Sequence, residues 1–105
     1  MIQPTATREA WTLQTLAVMQ ALYFAVTPNF RRVTLGRRDG VWRLSFVLEA
    51  ESEEDRQLID EVVQSFDELQ AGPEDRVKEV VVTADWLPWP ELPDRVVYQR
   101  REMEQ

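Results

Sequence analysis

With 105 residues, 44% hydrophobic and 30% charged, the chain can bury one core and is not of disordered composition. It has no Cys, which excludes a disulfide framework, thiolate catalysis and Cys-based zinc sites, and no His, the commonest general base and metal ligand. A net charge of −7 repels phosphate at long range, so direct nucleic-acid binding is not expected.

Met1 to Ala6 read as a loose arm of a single domain, residues 1–105. No basic region precedes an apolar run, so the start is not a secretory signal. The most apolar stretch, Leu16 to Val26, is too short to span a bilayer and contains Gln20. A soluble cytoplasmic protein with no membrane partner is expected. Thr7 is placed to cap a first helix that continues to Val26, where Thr27-Pro28-Asn29 stops it. Its apolar residues are so dense that most of its circumference should be buried.

Phe30 to Arg38 and Val41 to Glu49 are strand-like runs joined by Asp39-Gly40, a dipeptide suited to a two-residue type I′ turn. That turn sets the register. Leu35 then opposes Leu44, Val33 opposes Phe46, and Arg37 opposes Trp42, where a cation–π pair can form. Val33, Leu35, Trp42, Leu44, Phe46 and Leu48 make the core face, while Arg32, Thr34, Arg38, Arg43 and Ser45 make a wetter one.

Glu49 to Glu68 follows, with nine acids against Arg56 alone, a local charge of −8. The remainder of the chain is therefore +1. Ser52 caps a second helix running to Ala71, with Glu53, Glu54 and Asp55 in its first turn, where negative charge suits the helix dipole. Leu58, Ile59, Val62, Val63, Phe66 and Leu69 form one apolar stripe, and Gly72-Pro73 ends the helix. Arg76 to Ala84 is a third strand and Arg95 to Arg101 a fourth. Between them, three prolines in Asp85 to Asp94 forbid a helix and a central strand. The segment 102–105 should fray.

The order α-β-β-α-β-β predicts an α+β, two-layer sandwich, with two helices on one face of a mostly antiparallel four-stranded sheet. A ferredoxin-like arrangement with the last strand inserted centrally and a simple 1-2-3-4 meander fit the pattern equally.

Three surfaces are candidates for function. The acids Glu49, Glu51, Glu53, Glu54 and Asp55 read plainly as a solvated, capped helix start. They read alternatively as a docking surface for a cationic partner, since their excess is not interleaved with Lys or Arg. Their alternation resembles a calcium loop only superficially, because the mid-loop Gly is missing, and no metal or cofactor is expected. Trp86 and Trp89 read first as a cover for one end of the core; three apart in an extended segment, they point in different directions, one to the core and the other to solvent. As an interface loop they would have Asp85, Glu91 and Asp94 as a polar rim. The cluster Arg31, Arg32, Arg37, Arg38 and Arg43 reads as a solvated sheet face. For an enzyme the constellation is absent: Ser45, Ser52 and Ser65 have no His to activate them, and there is no Gly-rich phosphate loop.

The Asp39-Gly40 hairpin, the helix opened by Ser52-Glu53-Glu54-Asp55 and the Trp86/Trp89 loop together resemble the small immunity proteins of bacterial polymorphic toxin systems, particularly those of contact-dependent growth inhibition. The resemblance spans the chain in style and size and carries no diagnostic motif. It implies a cytoplasmic, non-enzymatic inhibitor that binds a cognate toxin domain, often a nuclease, as a monomer in a 1:1 complex. Acidic side chains would fill the toxin's basic groove. A second reading is a small acidic secretion-type chaperone or assembly subunit, a homodimer using an apolar patch on the first helix.

Overall fold

A computed structural model describes residues 7–23, 25–70 and 75–102. Its elements are α1 (Arg8–Ala21), β1 (Phe30–Arg38), β2 (Val41–Leu48), α2 (Glu53–Glu68), β3 (Arg76–Val82) and β4 (Arg95–Gln99), the predicted order. The expected arm, the Gly72-Pro73 helix stop and the tail beyond Glu102 lie outside the described residues.

The Asp39-Gly40 turn has positive φ at both residues (53° and 78°), as a type I′ hairpin requires. Its register is the expected one: Arg38 pairs with Val41, Arg37 with Trp42, Leu35 with Leu44 and Val33 with Phe46. Every predicted core-face residue of the hairpin is buried. Arg37 stacks over Trp42 at 4.5 Å, and the Trp11 ring meets Trp42 edge-on at 5.1 Å.

The strand order is β3-β2-β1-β4, which is neither a meander nor a permuted ferredoxin arrangement. The sheet is mixed. α2 makes a crossover, so β3 lies parallel to β2, while β4 pairs antiparallel with the other side of β1. The two ends of the Pro-rich loop therefore sit on opposite edges of the sheet. The loop has to cross the face that the helices do not cover.

Ser52 caps α2 by accepting from the Asp55 amide (3.2 Å), and Thr7 caps α1 by accepting from the Ala10 amide (3.0 Å). Ile59, Val62, Val63 and Phe66 bury the predicted stripe of α2 against the sheet. α1 ends at Ala21, not Val26, and the residues ahead of Pro28 turn instead of continuing the helix. Nor is α1 mostly buried. Trp11, Val18 and Ala21 face the core, whereas Leu13, Leu16 and Met19 are exposed.

β1 carries a bulge: Phe30 pairs with Leu48, Arg32 with Val47, and Arg31 is the extra residue. The insertion reverses parity. Phe30 thereby joins Val33 and Leu35 in the core, and Arg32 points to the opposite face.

Candidate protein-binding site

Leu48 pairs with Val82, so β2 and β3 finish side by side. The Thr83 amide extends that pairing by donating to Leu48 O (2.9 Å). The acidic run beginning at Glu49 and the Trp loop beginning at Thr83 thus leave the same end of the sheet from adjacent strands. Residues 34 apart in sequence at that point become neighbours.

Asn29 fixes the acidic side. Its carbonyl accepts from the Glu49 amide (2.9 Å), its side chain both donates to and accepts from the Ala50 backbone (2.8 and 2.9 Å), and Nδ2 also donates to Asp55 Oδ2 (2.8 Å). Asp55 accepts from Thr27 Oγ1 as well (3.1 Å) and is buried. Its carboxylate is turned inward and ties the first turn of α2 to the loop before β1, so Asp55 is not part of the exposed acidic surface. Glu49 is paired with Arg100 (2.8 Å), and Glu51 with Arg56, which donates to both carboxylate oxygens and holds the Glu51 pKa below its ordinary value. Glu53 and Glu54 are exposed, with no ion pair among the described residues.

Two arginines hold the loop. Arg31 Nη1 donates to Thr83 O (2.7 Å) and Asp85 O (2.8 Å), and its other nitrogens engage Glu102, which also pairs with Arg100. Arg32 Nη1 donates to Pro88 O (2.8 Å), Nε to Gln99 Oε1 (2.7 Å), and the guanidinium stacks on Trp89 at 5.1 Å. Both arginines are buried. The face predicted to be wet is therefore covered only in part: Arg32 and Thr34 are buried, whereas Arg38 is exposed and Arg43 and Ser45 are half-buried. Burial is the main cause that lowers the Arg32 pKa, with the Arg31 charge adding to it and Glu102 opposing. Hydrogen bonding to Arg31 depresses the Glu102 pKa, so the residue that opens the segment expected to fray is firmly held.

The loop's own aromatics point outward. Trp86 is 83% exposed and Trp89 67%, so neither covers the core. Leu92 is exposed too. Not all the candidate residues gather at one end. The Asp94 amide donates to Glu91 O (3.1 Å), and the Asp94 carboxylate sits against Gly36, where a Cβ would come within 2.7 Å of Oδ1. Gly36 lies four residues up β1 from Arg32, roughly 13 Å along a strand. Glu91 and Asp94 thus belong to the hairpin end, apart from Glu49, Glu51, Glu53, Glu54, Asp85 and Trp86.

Asn29, Arg31, Arg32 and Arg100 were not singled out as organising residues. One signal was available for the arginines. Strict alternation from Val33 and Leu35 would put Arg31 in the core and Phe30 outside, a conflict that only a bulge resolves. Among the described residues no group of acids is arranged to hold a metal ion, and no helix is long and apolar enough to cross a membrane. A shallow groove of about 350 Å³ between α2 and β3 is crossed by the ion pairs Arg76–Asp67 and Lys78–Asp60.

Comparison with known families puts this fold among immunity proteins. Residues 13–102 match the MafI2 immunity protein family, and the chain belongs to it. The match runs from α1 to Glu102 and includes both the acidic run and the clamped loop. The resemblance to polymorphic-toxin immunity proteins holds at that level; the family name does not carry the contact-dependent growth inhibition assignment. No curated protein matches the chain.

Proposed function

We propose that this protein binds a cognate toxin domain, a cationic nuclease, and neutralises it in the cytoplasm by occupying its basic groove, one toxin domain per chain and without catalysis. The docking surface is the sheet end that carries Glu49, Glu51, Glu53, Glu54, Asp85 and Trp86, continued over the outer face by Trp89. Glu91 and Asp94 extend its rim toward the hairpin. One observation supports the reading above the others. Two buried arginines are committed to loop carbonyls, yet the Trp side chains on that loop remain in solvent. Such a loop loses little entropy when a partner covers it, and rigid Trp anchors are typical of interface hot spots.

The test compares Trp86→Ala/Trp89→Ala with Glu53→Gln/Glu54→Gln by calorimetry against the purified toxin domain and by survival of cells producing it. The Trp pair should weaken binding by roughly 2–4 kcal/mol. The Glu pair should weaken it only at low salt. Undiminished protection and affinity in both variants would place the interface elsewhere.

A further inference from the structure

Backbone pairing between β2 and β3 ends where the Thr83 amide donates to Leu48 O (2.9 Å). Beyond that point the two halves of the proposed surface part, Glu49 toward α2 and Asp85 toward the outer face. Among the described residues no hydrogen bond or ion pair runs directly from the acidic run 49–56 to the loop segment 83–90. The segment after β4 supplies the link. The Arg100 amide donates to Arg31 O (2.9 Å), which carries the β1–β4 pairing one step past Arg32–Gln99 and brings residue 102 beside the bulge.

Glu102 then offers one carboxylate oxygen to each half. Oε1 accepts from Arg31 Nε (3.0 Å), and Arg31 Nη1 reaches on to the carbonyls of Thr83 and Asp85. Oε2 accepts from Arg100 Nε (2.8 Å). Arg100 reaches on to Glu49 (2.8 Å) and to Pro28 O (2.8 Å), next to the Asn29 that fixes Ala50 and Asp55. Among the described residues Glu102 is the one acid that pairs with two arginines. Arg31 is only 5% exposed, and Glu102 is its ion-pair partner. Removing that partner leaves a buried guanidinium uncompensated, with buried Arg32 as its neighbour. Arg31 is then driven toward water, and its donors leave the loop carbonyls.

From this connectivity we infer that Glu102 is a positioning residue: through Arg31 and Arg100 it holds the Trp86 loop and the acidic run in one fixed relation. Its consequence for a toxin rests on the docking surface proposed above, whereas the coupling itself is a property of the free chain.

The first measurement is therefore made on the free chain. Hydrogen exchange at the Asp85 amide, which donates to Thr83 Oγ1 (3.0 Å), reports the loop. Glu102→Ala should speed it at least about tenfold beyond any change in the amides of the β1–β2 ladder. Glu49→Gln, on the other half of the surface, should speed it about threefold in the wild-type background and not at all beside Glu102→Ala, an effect that a purely stabilising ion pair does not produce. Glu102→Asp, which keeps the charge, should recover more protection than Glu102→Gln, and the Gln variant repeats the test should the Ala variant not fold. The second measurement is calorimetry against the purified toxin domain. Glu102→Ala should weaken binding about tenfold, and Trp86→Ala should cost at least about threefold less affinity in that background than in wild type. Unchanged Asp85 exchange in Glu102→Ala, or a Glu49→Gln effect that persists without Glu102, overturns the inference. So does full toxin affinity in Glu102→Ala beside a loss in Trp86→Ala. A loop loosened as expected, with both variants binding at full affinity, upholds the coupling and overturns the docking surface.

Discussion

Arg32 offers the sharpest test of the clamped loop. Arg32→Ala removes two charge-assisted hydrogen bonds, to Pro88 O and Gln99 Oε1, and the stacking contact with Trp89. Each such bond is worth about 1.5–3 kcal/mol and the stacking about 0.5–1 kcal/mol. Against this stands the cost of burying a guanidinium, the same effect that lowers its pKa. The balance is a net loss of about 2–3 kcal/mol, or a fall in Tm of roughly 10–20 °C at this chain length. Arg32→Met keeps the packed stem and removes the burial cost together with the bonds, so it should lose only about half as much. Urea denaturation measures both. Hydrogen exchange at the Asp85 amide, which donates to Thr83 Oγ1, reports whether the loop loosens before global unfolding. A loss under about 0.5 kcal/mol for Arg32→Ala, with loop exchange unchanged, would show that the loop is held by other contacts and refute the clamp.

Gly36→Ala drives a Cβ onto Asp94 Oδ1; because a carboxylate tip can rotate away, the cost should be about 1 kcal/mol, and Asp94→Ala should restore most of it in the double variant's denaturation midpoint. Asp55→Ala strands the Asn29 and Thr27 donors and should destabilise by about 2–3 kcal/mol, whereas Glu54→Ala, on the exposed side of the same turn, should stay within about 0.5 kcal/mol. Hydrogen bonds from Arg31 and Arg76 hold Glu102 and Asp67 below their ordinary pKa values of 4.5 and 3.8. A depressed carboxylate stabilises the fold above its unfolded pKa and loses that contribution as pH falls through the folded one. Tm should therefore be flat from neutrality to about pH 5 and drop below pH 4, and Glu102→Gln should be less stable at pH 7 yet converge on wild type near pH 3.

Local chemistry was legible in the chain where it acted alone. Asp39-Gly40 admits one turn, that turn admits one register, and the hairpin core followed to the residue. Ser52 and the apolar stripe of α2 located the helix for the same reason. Strand order was not legible, because β3 and β4 bury similar faces whichever neighbour they take. Only the α2 crossover, which makes β2 and β3 parallel, decides it. The wet reading of Arg32 and Thr34 failed on that same point. Once β3 and β4 sit on opposite edges, the loop must cross the outer face, and a strand pattern cannot reveal a roof supplied by another segment. α1 misled through composition: its apolar residues suggested burial over most of its circumference, whereas half of its residues, Leu13, Leu16 and Met19 among them, are exposed.

Summing charges over Glu49 to Glu68 overstated the field of this region. Glu49, Asp60 and Asp67 take Arg100, Lys78 and Arg76 from distant segments, Glu51 takes Arg56, and Asp55 is buried. The acids of the proposed surface with no ion pair among the described residues are Asp85, Glu53 and Glu54; the last two lie in the first turn of α2, where the helix dipole already stabilises them by about 0.3–1 kcal/mol each. Long-range attraction there should govern how fast a cationic toxin arrives, while desolvated contacts at Trp86 and Trp89 should govern how slowly it leaves. The two substitutions therefore separate in a kinetic experiment. Glu53→Gln/Glu54→Gln should slow association about tenfold at low salt, with the difference vanishing near 0.5 M NaCl, and leave dissociation unchanged. Trp86→Ala should speed dissociation about thirtyfold or more at any salt and leave association nearly untouched. If both variants changed only dissociation, Glu53 and Glu54 would be contact residues and not steering charges, and the acidic end would owe its role to direct pairing with the toxin's basic groove.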